Sequence, residues 1–384
     1  MKVICDRSAL LDAVNLVSGV VASRTPRPQL TCIKLSATSK GGSGAGTLSL
    51  SATDGEVSIR MMTAMVEVQT EGEALVPADR LRAIVSAQDS EPTLTLETEG
   101  EITHITGKDA KYHVYGYPPA DFPPLPGLPK DATNAFTIGG DTLEQLIART
   151  TFSTARENSR YAINGVLIKR DGKKLEMVAT DGRRLALAKA NASGDAAGKT
   201  TCIVPTKALN IVGKLLASDD GDVKVAVTEN QAIFAFDDGD APGESTILAT
   251  SLVEGTFPPY EDVIPKDQDK KATFDVGALG SAVKRAALLT NEESRGVRMA
   301  FGKGDKTARL TSRAPEMGEA EVQVDLKGYD GDDIEIGFNP AFITDALKVV
   351  QGDQVIFEMK APNKPGLMKS GNDFVYVVMP VNLQ

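Results

Sequence analysis

The sequence is poor in the residues that carry most metal and enzyme chemistry. Its three cysteines, Cys5, Cys32 and Cys202, are far apart and odd in number, which excludes a disulfide framework and a thiolate metal knuckle. Its two histidines, His104 and His113, fall in segments that read as strands, without a cluster of ligating neighbours. Both are read as structural, and no metal is expected. No apolar run approaches the roughly 20 residues that a membrane helix needs, and the opening Met1-Lys2-Val3-Ile4-Cys5-Asp6 lacks a signal-peptide core. The expectation is a soluble, reduced, cytoplasmic protein. Basic excess is missing too: 42 Lys+Arg against 52 Asp+Glu leave a net charge of −10. That argues against a protein that coats nucleic acid by bulk charge, but it allows a basic face on an acidic body.

Motifs for catalysis are equally scarce. Gly194-Asp195-Ala196-Ala197-Gly198-Lys199-Thr200 resembles a phosphate loop but is one residue short. It also leads into a strand, where such a loop must open a helix. The Gly-rich stretch 41–46 likewise precedes a strand and reads as a flexible loop. The scattered carboxylates offer no acid–base pair. Neither an enzymatic activity nor a cofactor is expected.

What the sequence does have is a hairpin, Lys174 to Ala190. Apolar residues alternate on both sides of Asp181-Gly182, the strongest short-range hairpin signal. Asp and Gly suit a turn that needs positive φ. Arg183 and Arg184 follow at once, ahead of the apolar Leu185. A solvated turn accounts for two arginines there, and so does a functional site.

The same elements recur along the chain. A first unit reads as strand 2–6, a helix capped by Ser8 with Leu10, Val14, Val17 and Val21 on one face, and strands 32–37 and 47–52. The turn Thr53-Asp54-Gly55 follows, then a strand from Val57 to Val68, a helix opened by Val76-Pro77, and strands 93–98, 101–106 and 111–116. The Pro-rich segment Pro118 to Pro129 ends it, and the order then restarts. Asp181 lies 127 positions after Asp54, Pro205 lies 128 after Pro77, and Pro340 a further 135 on. Three copies of a strand-rich, two-helix unit make a repeat, with boundaries at 1–130, 131–265 and 266–384 and a second linker at Phe257-Pro258-Pro259-Tyr260. The fold class is α+β. Arg80, Arg82, Arg149, Lys207, Lys214, Lys284, Arg285 and Lys348 fall at expected exposed helix positions, and Arg24, Arg27, Arg156 and Arg160 in loops after first helices. Placement at equivalent points of each unit suggests one shared basic surface. Solvated helix faces give the same pattern.

Seven motifs in order carry a resemblance over the whole chain. They are Tyr161-Ala162-Ile163-Asn164-Gly165, Ala179-Thr180-Asp181-Gly182-Arg183-Arg184-Leu185, Ile203-Val204-Pro205, Phe257-Pro258-Pro259-Tyr260, Asn291-Glu292 with Arg295-Gly296-Val297-Arg298, Gly337-Phe338-Asn339-Pro340, and Val377-Val378-Met379-Pro380-Val381-Asn382-Leu383. With them the sequence resembles the bacterial sliding clamp, the β subunit of DNA polymerase III. The resemblance implies three clamp domains, each of two helices packed on β-sheets, forming a ring as a head-to-tail homodimer. Such a ring encircles duplex DNA without reading its sequence, tethers the replicative polymerase and repair proteins, and catalyses nothing.

The resemblance also implies where sites lie. DNA-facing residues would be Arg24, Arg27, Arg80, Arg156, Arg160, Tyr161, Lys207, Lys214 and Lys284. A pocket for short linear peptides of polymerase, clamp loader and repair proteins would comprise Ile163, Thr180, Gly182, Arg183, Arg184, Leu185, Pro258, Val263, Asn339, Phe342, Val378, Met379, Pro380 and Val381. There, Arg184 would hold the peptide's polar end. The dimer interface would use Tyr112 and Val114 against Leu288 and Leu289. The sequence departs from the family at Glu261-Asp262, often basic there, at Ala162, and in Gln384 past the usual terminal Leu. A β-rich scaffold that never binds DNA is the competing reading, favoured by the acidic balance.

Overall fold

The computed structural model describes residues 1–22, 24–39, 45–129, 134–155, 162–194, 198–217, 221–236, 246–290 and 296–382. Six α-helices lie among them: α1 Arg7–Ser18, α2 Ala78–Ala87, α3 Gly140–Thr151, α4 Thr206–Leu216, α5 Val276–Ala286 and α6 Pro340–Leu347. Each repeat supplies two, with strands between and after them. Backbone contacts divide the chain into two units. The first is Met1–Asp141 with Ala192–Gly198 and Lys207–Leu252; the second is Thr142–Asn191, Lys199–Thr206 and Val253–Gln384. The central repeat contributes to both.

Sheet topology explains this division. The first unit is built on a 13-stranded sheet in which Thr246–Ser251 of the central repeat pairs antiparallel with Val57–Thr70 of the first, Leu248 opposite Ile59. In the second unit a nine-stranded sheet continues from the central to the third repeat. There Arg184–Asn191 pairs with Phe374–Val378, Leu187 opposite Val375. A separate four-stranded sheet of the third repeat runs in the order Gly318–Asp325, Thr307–Ala314, Val297–Phe301, Ile334–Phe338. Edge strands of one repeat thus find partners in the next, which satisfies their backbone N–H and C=O groups.

Helix starts follow the strands that feed them. Asp6, the last residue of strand Lys2–Asp6, caps α1 by accepting the Ala9 N–H at 2.8 Å. Ser8, the expected cap, lies inside the helix. Both residue types cap well, but the strand ends at Asp6 and so sets its carboxylate at the cap, where its charge also suits the helix N-terminus. Asp275 repeats the device before α5, accepting from Ala278 N at 2.8 Å, and Asn339 before α6, accepting from Ala341 N at 2.9 Å. α1 buries Leu10, Ala13, Val14 and Val17 next to Leu81 and Val85 of α2. Val21 falls past the helix end. Full burial of such side chains contributes roughly 1.5–3 kcal/mol each. α5 closes at Ala286 and passes into a 3₁₀ turn Ala287–Leu289, where Leu288 is 72% exposed.

The hairpin turn forms as the sequence implies, and it forms twice. In the first unit Thr53 Oγ1 accepts from Gly55 N at 3.0 Å, while Asp54 Oδ1 accepts from Glu56 N at 2.9 Å and Val57 N at 2.7 Å. In the second, Thr180 Oγ1 accepts from Gly182 N at 3.1 Å, while Asp181 Oδ1 accepts from Arg183 N at 2.9 Å and Arg184 N at 3.0 Å. Gly55 and Gly182 have φ of +97° and +84°, the left-handed region open to glycine. Each Asp therefore satisfies two backbone donors that no strand partner reaches. Asp181→Ala is expected to lower stability by roughly 2 kcal/mol in urea unfolding. Asp262→Ala, at an exposed linker carboxylate, is expected to change it by less than about 0.5 kcal/mol.

Candidate functional site

The second unit gathers the hairpin, the C-terminal strand and α6 around one guanidinium. Arg184 Nε donates to Asp181 Oδ2 at 3.0 Å, Nη1 to Asp345 Oδ2 at 3.0 Å, and Nη2 to the Phe152 carbonyl at 2.7 Å. Its plane lies 4.5 Å from the Phe342 ring centroid and 5.5 Å from that of Phe152. Tyr376 Oη donates to the Phe342 carbonyl at 3.0 Å. Burial pushes the Asp345 carboxyl up, but hydrogen bonds from Lys348 and Arg184 outweigh it and hold it below the usual range. Arg184 is thus fully engaged inside the fold, whereas the Arg183 side chain beside it is exposed.

The other expected pocket residues all belong to this unit. Ile163, Thr180, Leu185 and Val378 are buried, Leu185 in a cluster with Leu187, Tyr260 and Val377. Thr180 Oγ1 donates to the Arg184 carbonyl at 2.7 Å, so its hydroxyl serves the turn. Pro258, Asn339, Phe342, Pro380 and Val381 are half-buried and Gly182 is exposed. Val263 is 45% exposed and Met379 39%. The tail is fastened by backbone bonds: Met379 N donates to Arg183 O and Val381 N to Gly337 O, both at 2.9 Å. Glu261 is paired with Lys169 at 3.0 Å, and Tyr260 Oη donates to Glu176 at 3.1 Å.

The basic residues separate into three groups. Arg24, Arg27, Arg80, Arg82, Lys214, Lys284, Arg285 and Lys348 are exposed. Lys284, Arg285 and Lys348 line a groove of about 460 Å³ between α5 and α6, with Ser281 and Thr344. Lys207 is also exposed, yet its ammonium pairs with Asp54 in the turn of the first unit. Burial pushes the Asp54 carboxyl up, but the Lys207 hydrogen bond and the turn's N–H groups hold it below its ordinary value. Arg149, expected to be exposed, is corrected to a buried residue at 3% exposure. Its Nη1 donates to Asp373 at 2.7 Å, and it lies over the Phe374 ring. Arg156, Arg160 and Tyr161 lie outside the described residues.

Among the described residues, the strands that end a sheet include Ser193–Gly194 and Lys111–Tyr115 in the first unit, and Lys199–Pro205, Gly328–Asp330, Gly318–Asp325 and Ile334–Phe338 in the second. Val114 points inward at 7% exposure, and Tyr112 Oη accepts from Gln88 Nε2 at 2.9 Å. Both were expected at the dimer interface; on the opposite face of the same strand Tyr115 is 76% exposed. Near Gly318–Asp325, Leu288 and Met317 are 72% and 50% exposed, and Leu289 is half-buried.

Among the described residues no group of three or more His, Cys, Asp or Glu side chains is placed to hold a metal, and no helix is long and apolar enough to cross a membrane. The three thiols are buried and free; burial pushes Cys5 and Cys202 up to about 12 and Cys32 up to about 11.

Three family models match in succession: the N-terminal domain of the DNA polymerase III β subunit over residues 1–126, the central domain over 137–259 and the C-terminal domain over 261–382. The chain belongs to the DNA polymerase III β subunit family. The β sliding clamp of Pseudomonas aeruginosa is 32% identical over 379 residues, covering 98% of each chain, and that of Escherichia coli K12 is 30% identical over 385 residues, covering 100% of each. Among solved structures, a P. aeruginosa sliding clamp bound to griselimycin aligns at TM-score 0.88 with 31% identity, and a Bacillus subtilis clamp at 0.88 with 25%, each pair covered in full. The chain is accordingly a DNA sliding clamp, a non-catalytic processivity factor of the replicative polymerase.

Acid should expose how much this clamp rests on its half-buried, hydrogen-bonded carboxylates. A carboxyl whose folded pKa is depressed stabilises the fold above its unfolded value of about 3.9, and the contribution is lost as pH falls through the folded value. Asp345 and Asp54 both meet that condition. Stability is therefore expected to fall below about pH 4. Asp345→Asn should be less stable at pH 7 and show a flatter acid limb, measured as urea midpoints between about pH 3 and 7.

Proposed function

We propose that two chains join head to tail, edge strand to edge strand, and close around duplex DNA in the cytoplasm, with repeats bounded near residues 130 and 265. The observation that carries this reading is that two of the sheet-end strands, Lys111–Tyr115 and Gly318–Asp325, have exposed apolar side chains on or near them. An open edge offers a row of backbone donors and acceptors to another chain. Tyr115 on one edge and Leu288 and Met317 by the other would supply the apolar contact. Phosphate attraction would come from Arg24, Arg27, Arg80, Lys214 and Lys284, with Arg285 and Lys348 beside the α5–α6 groove. Contacts of this kind are independent of sequence and weaken with salt, which suits a clamp that slides. Lys207 has a second duty, holding the Asp54 turn. In sedimentation equilibrium the chain of 40.6 kDa should weigh as two. After loading it should stay on nicked circular DNA and run off linear DNA. Tyr115→Asp with Leu288→Asp should give one-chain mass and no retention; an unchanged mass would overturn the edge assignment.

We further propose that polymerase, clamp-loader and repair partners dock a short peptide on the surface bounded by Met379, Val263, Pro258, Phe342 and Pro380. Support comes from the exposure of Met379 and Val263 and from the backbone bonds that fasten the tail. Each buried anchor side chain contributes roughly 1.5–3 kcal/mol, enough for micromolar binding once ordering costs are subtracted. Because Arg184 is engaged on every side, Arg183 is assigned to the peptide's polar end. In calorimetry with a Gln-Leu-x-Leu-Phe-type peptide, Arg183→Ala should weaken binding severalfold without lowering the melting temperature. Arg184→Ala should lower the melting temperature first. Loss of binding on deletion of Met379 to Gln384, with the dimer retained, supports the site; unchanged affinity overturns it.

A further inference from the structure

The chain holds two histidines in 384 residues, and the fold sets them side by side. His104 and His113 face each other across the neighbouring strands Ile102–Thr106 and Lys111–Tyr115. Their Nδ1 atoms are 2.6 Å apart, with the rings edge to face at 89°. His113 is exposed, so solvent reaches the pair from the sheet face. Residue spacing alone does not join them, because the nine-residue separation becomes contact only through the strand register.

We propose that His104 and His113 form a two-histidine site for a divalent transition-metal ion of the Cu(II) or Ni(II) kind. Two nitrogens at 2.6 Å share one proton in a direct hydrogen bond, and a metal ion can replace that proton if both Nδ1 lone pairs face it. The Nε2 atom of His104 bears on this. It is buried, has no hydrogen-bond partner among the described residues, and lies 3.7 Å from Glu99 Oε2. Glu99 is exposed and free to close that gap. A carboxylate taking the Nε2–H fixes the tautomer that leaves Nδ1 open as a ligand, the usual outer partner of a metal-bound imidazole.

Distance selects the ion. With metal–nitrogen bonds of about 2.0 Å, two cis ligands of a square-planar ion sit about 2.8 Å apart, while a tetrahedral ion needs about 3.3 Å. The 2.6 Å hydrogen-bond contact is shorter than either, so the rings must part by about 0.2 Å for a square-planar ion and about 0.7 Å for a tetrahedral one. Cu(II) and Ni(II) favour the square-planar geometry with nitrogen donors. Water would fill the other positions. Rival ligands are few: the thiols are buried, and the terminal amine donates to Thr98 Oγ1 at 2.8 Å. Both imidazoles stand off the sheet face, so a second chain paired along the strand's edge leaves them reachable.

The full chain without a histidine tag should be titrated with NiCl₂ by calorimetry at neutral pH, and with Cu(II) followed by electron paramagnetic resonance. One ion per chain is expected, with nitrogen hyperfine splitting from two imidazoles. Binding should weaken at least tenfold in His113→Ala and in His104→Ala. His113→Gln, at an exposed position, keeps a polar outer face and provides a variant whose folding can be checked by its melting curve. Absence of uptake would mean that the pair is a hydrogen bond and nothing more. Uptake unchanged in His113→Gln would place the ion elsewhere. Either result overturns the site.

Discussion

The second unit depends on how one half-buried cation is satisfied. Arg184 has three guanidinium donors directed at Asp181, Asp345 and the Phe152 carbonyl, and two aromatic rings against its faces. A guanidinium taken from water without these partners would cost several kcal/mol. With them it ties the hairpin, α6 and the end of α3 into one arrangement, since moving any of the three strands a donor. The planar fork matters: a lysine at 184 could meet one acceptor well but not three directions at once. The exposed apolar tail residues therefore rest on a rigid support, and a docking peptide would pay little to order it.

Continuity of the sheets follows the same logic of satisfied groups. A repeat that ended in two bare edges would expose backbone donors and acceptors at each end. Here Val57–Thr70 and Arg184–Asn191 meet strands of the neighbouring repeat, so the bare edges that stand out are Lys111–Tyr115 and Gly318–Asp325. One is rimmed by Tyr115, the other by Leu288 and Met317. Apolar side chains beside an open edge are a liability in a monomer and an asset where a second chain is meant to bind.

Local signals were legible in the sequence, and directional ones were not. The Asp-Gly turns, the order of helices and strands and the tail's docking follow from residue types and period-two alternation, and they hold down to the paired Asp carboxylates of the two turns. The α1 cap went to Asp6 instead of Ser8 because both residues are adequate caps, and only the end of the preceding strand decides between them. Arg149 was read as exposed from its helix position, but a half-exposed Asp373 partner 224 residues away reverses that. The exposure of Tyr115 was not read because a five-residue edge strand gives little signal of which face turns outward; the available clue was its alternation with Val114. The histidine pair needed the register itself.

An acidic chain that must hold DNA loosely has a charge problem, and the ion pairs suggest how it is solved. Lys207, Arg149 and Arg184 are each tied to a carboxylate within their own unit, so they add little to any outward field. Arg24, Arg27 and Lys214 remain exposed, with Lys284 and Arg285 beside one groove in which Lys348 is itself paired with Asp345. A few such cations attract phosphate within a Debye length of about 8 Å at physiological salt, while the net negative charge repels it beyond. Had Arg149, Arg184 and Lys207 been free as well, each would have added roughly one released counterion to the binding slope. Tight phosphate contacts slow sliding. Tying these cations into structural pairs would keep the attraction weak, so that retention could rest on topology instead of affinity.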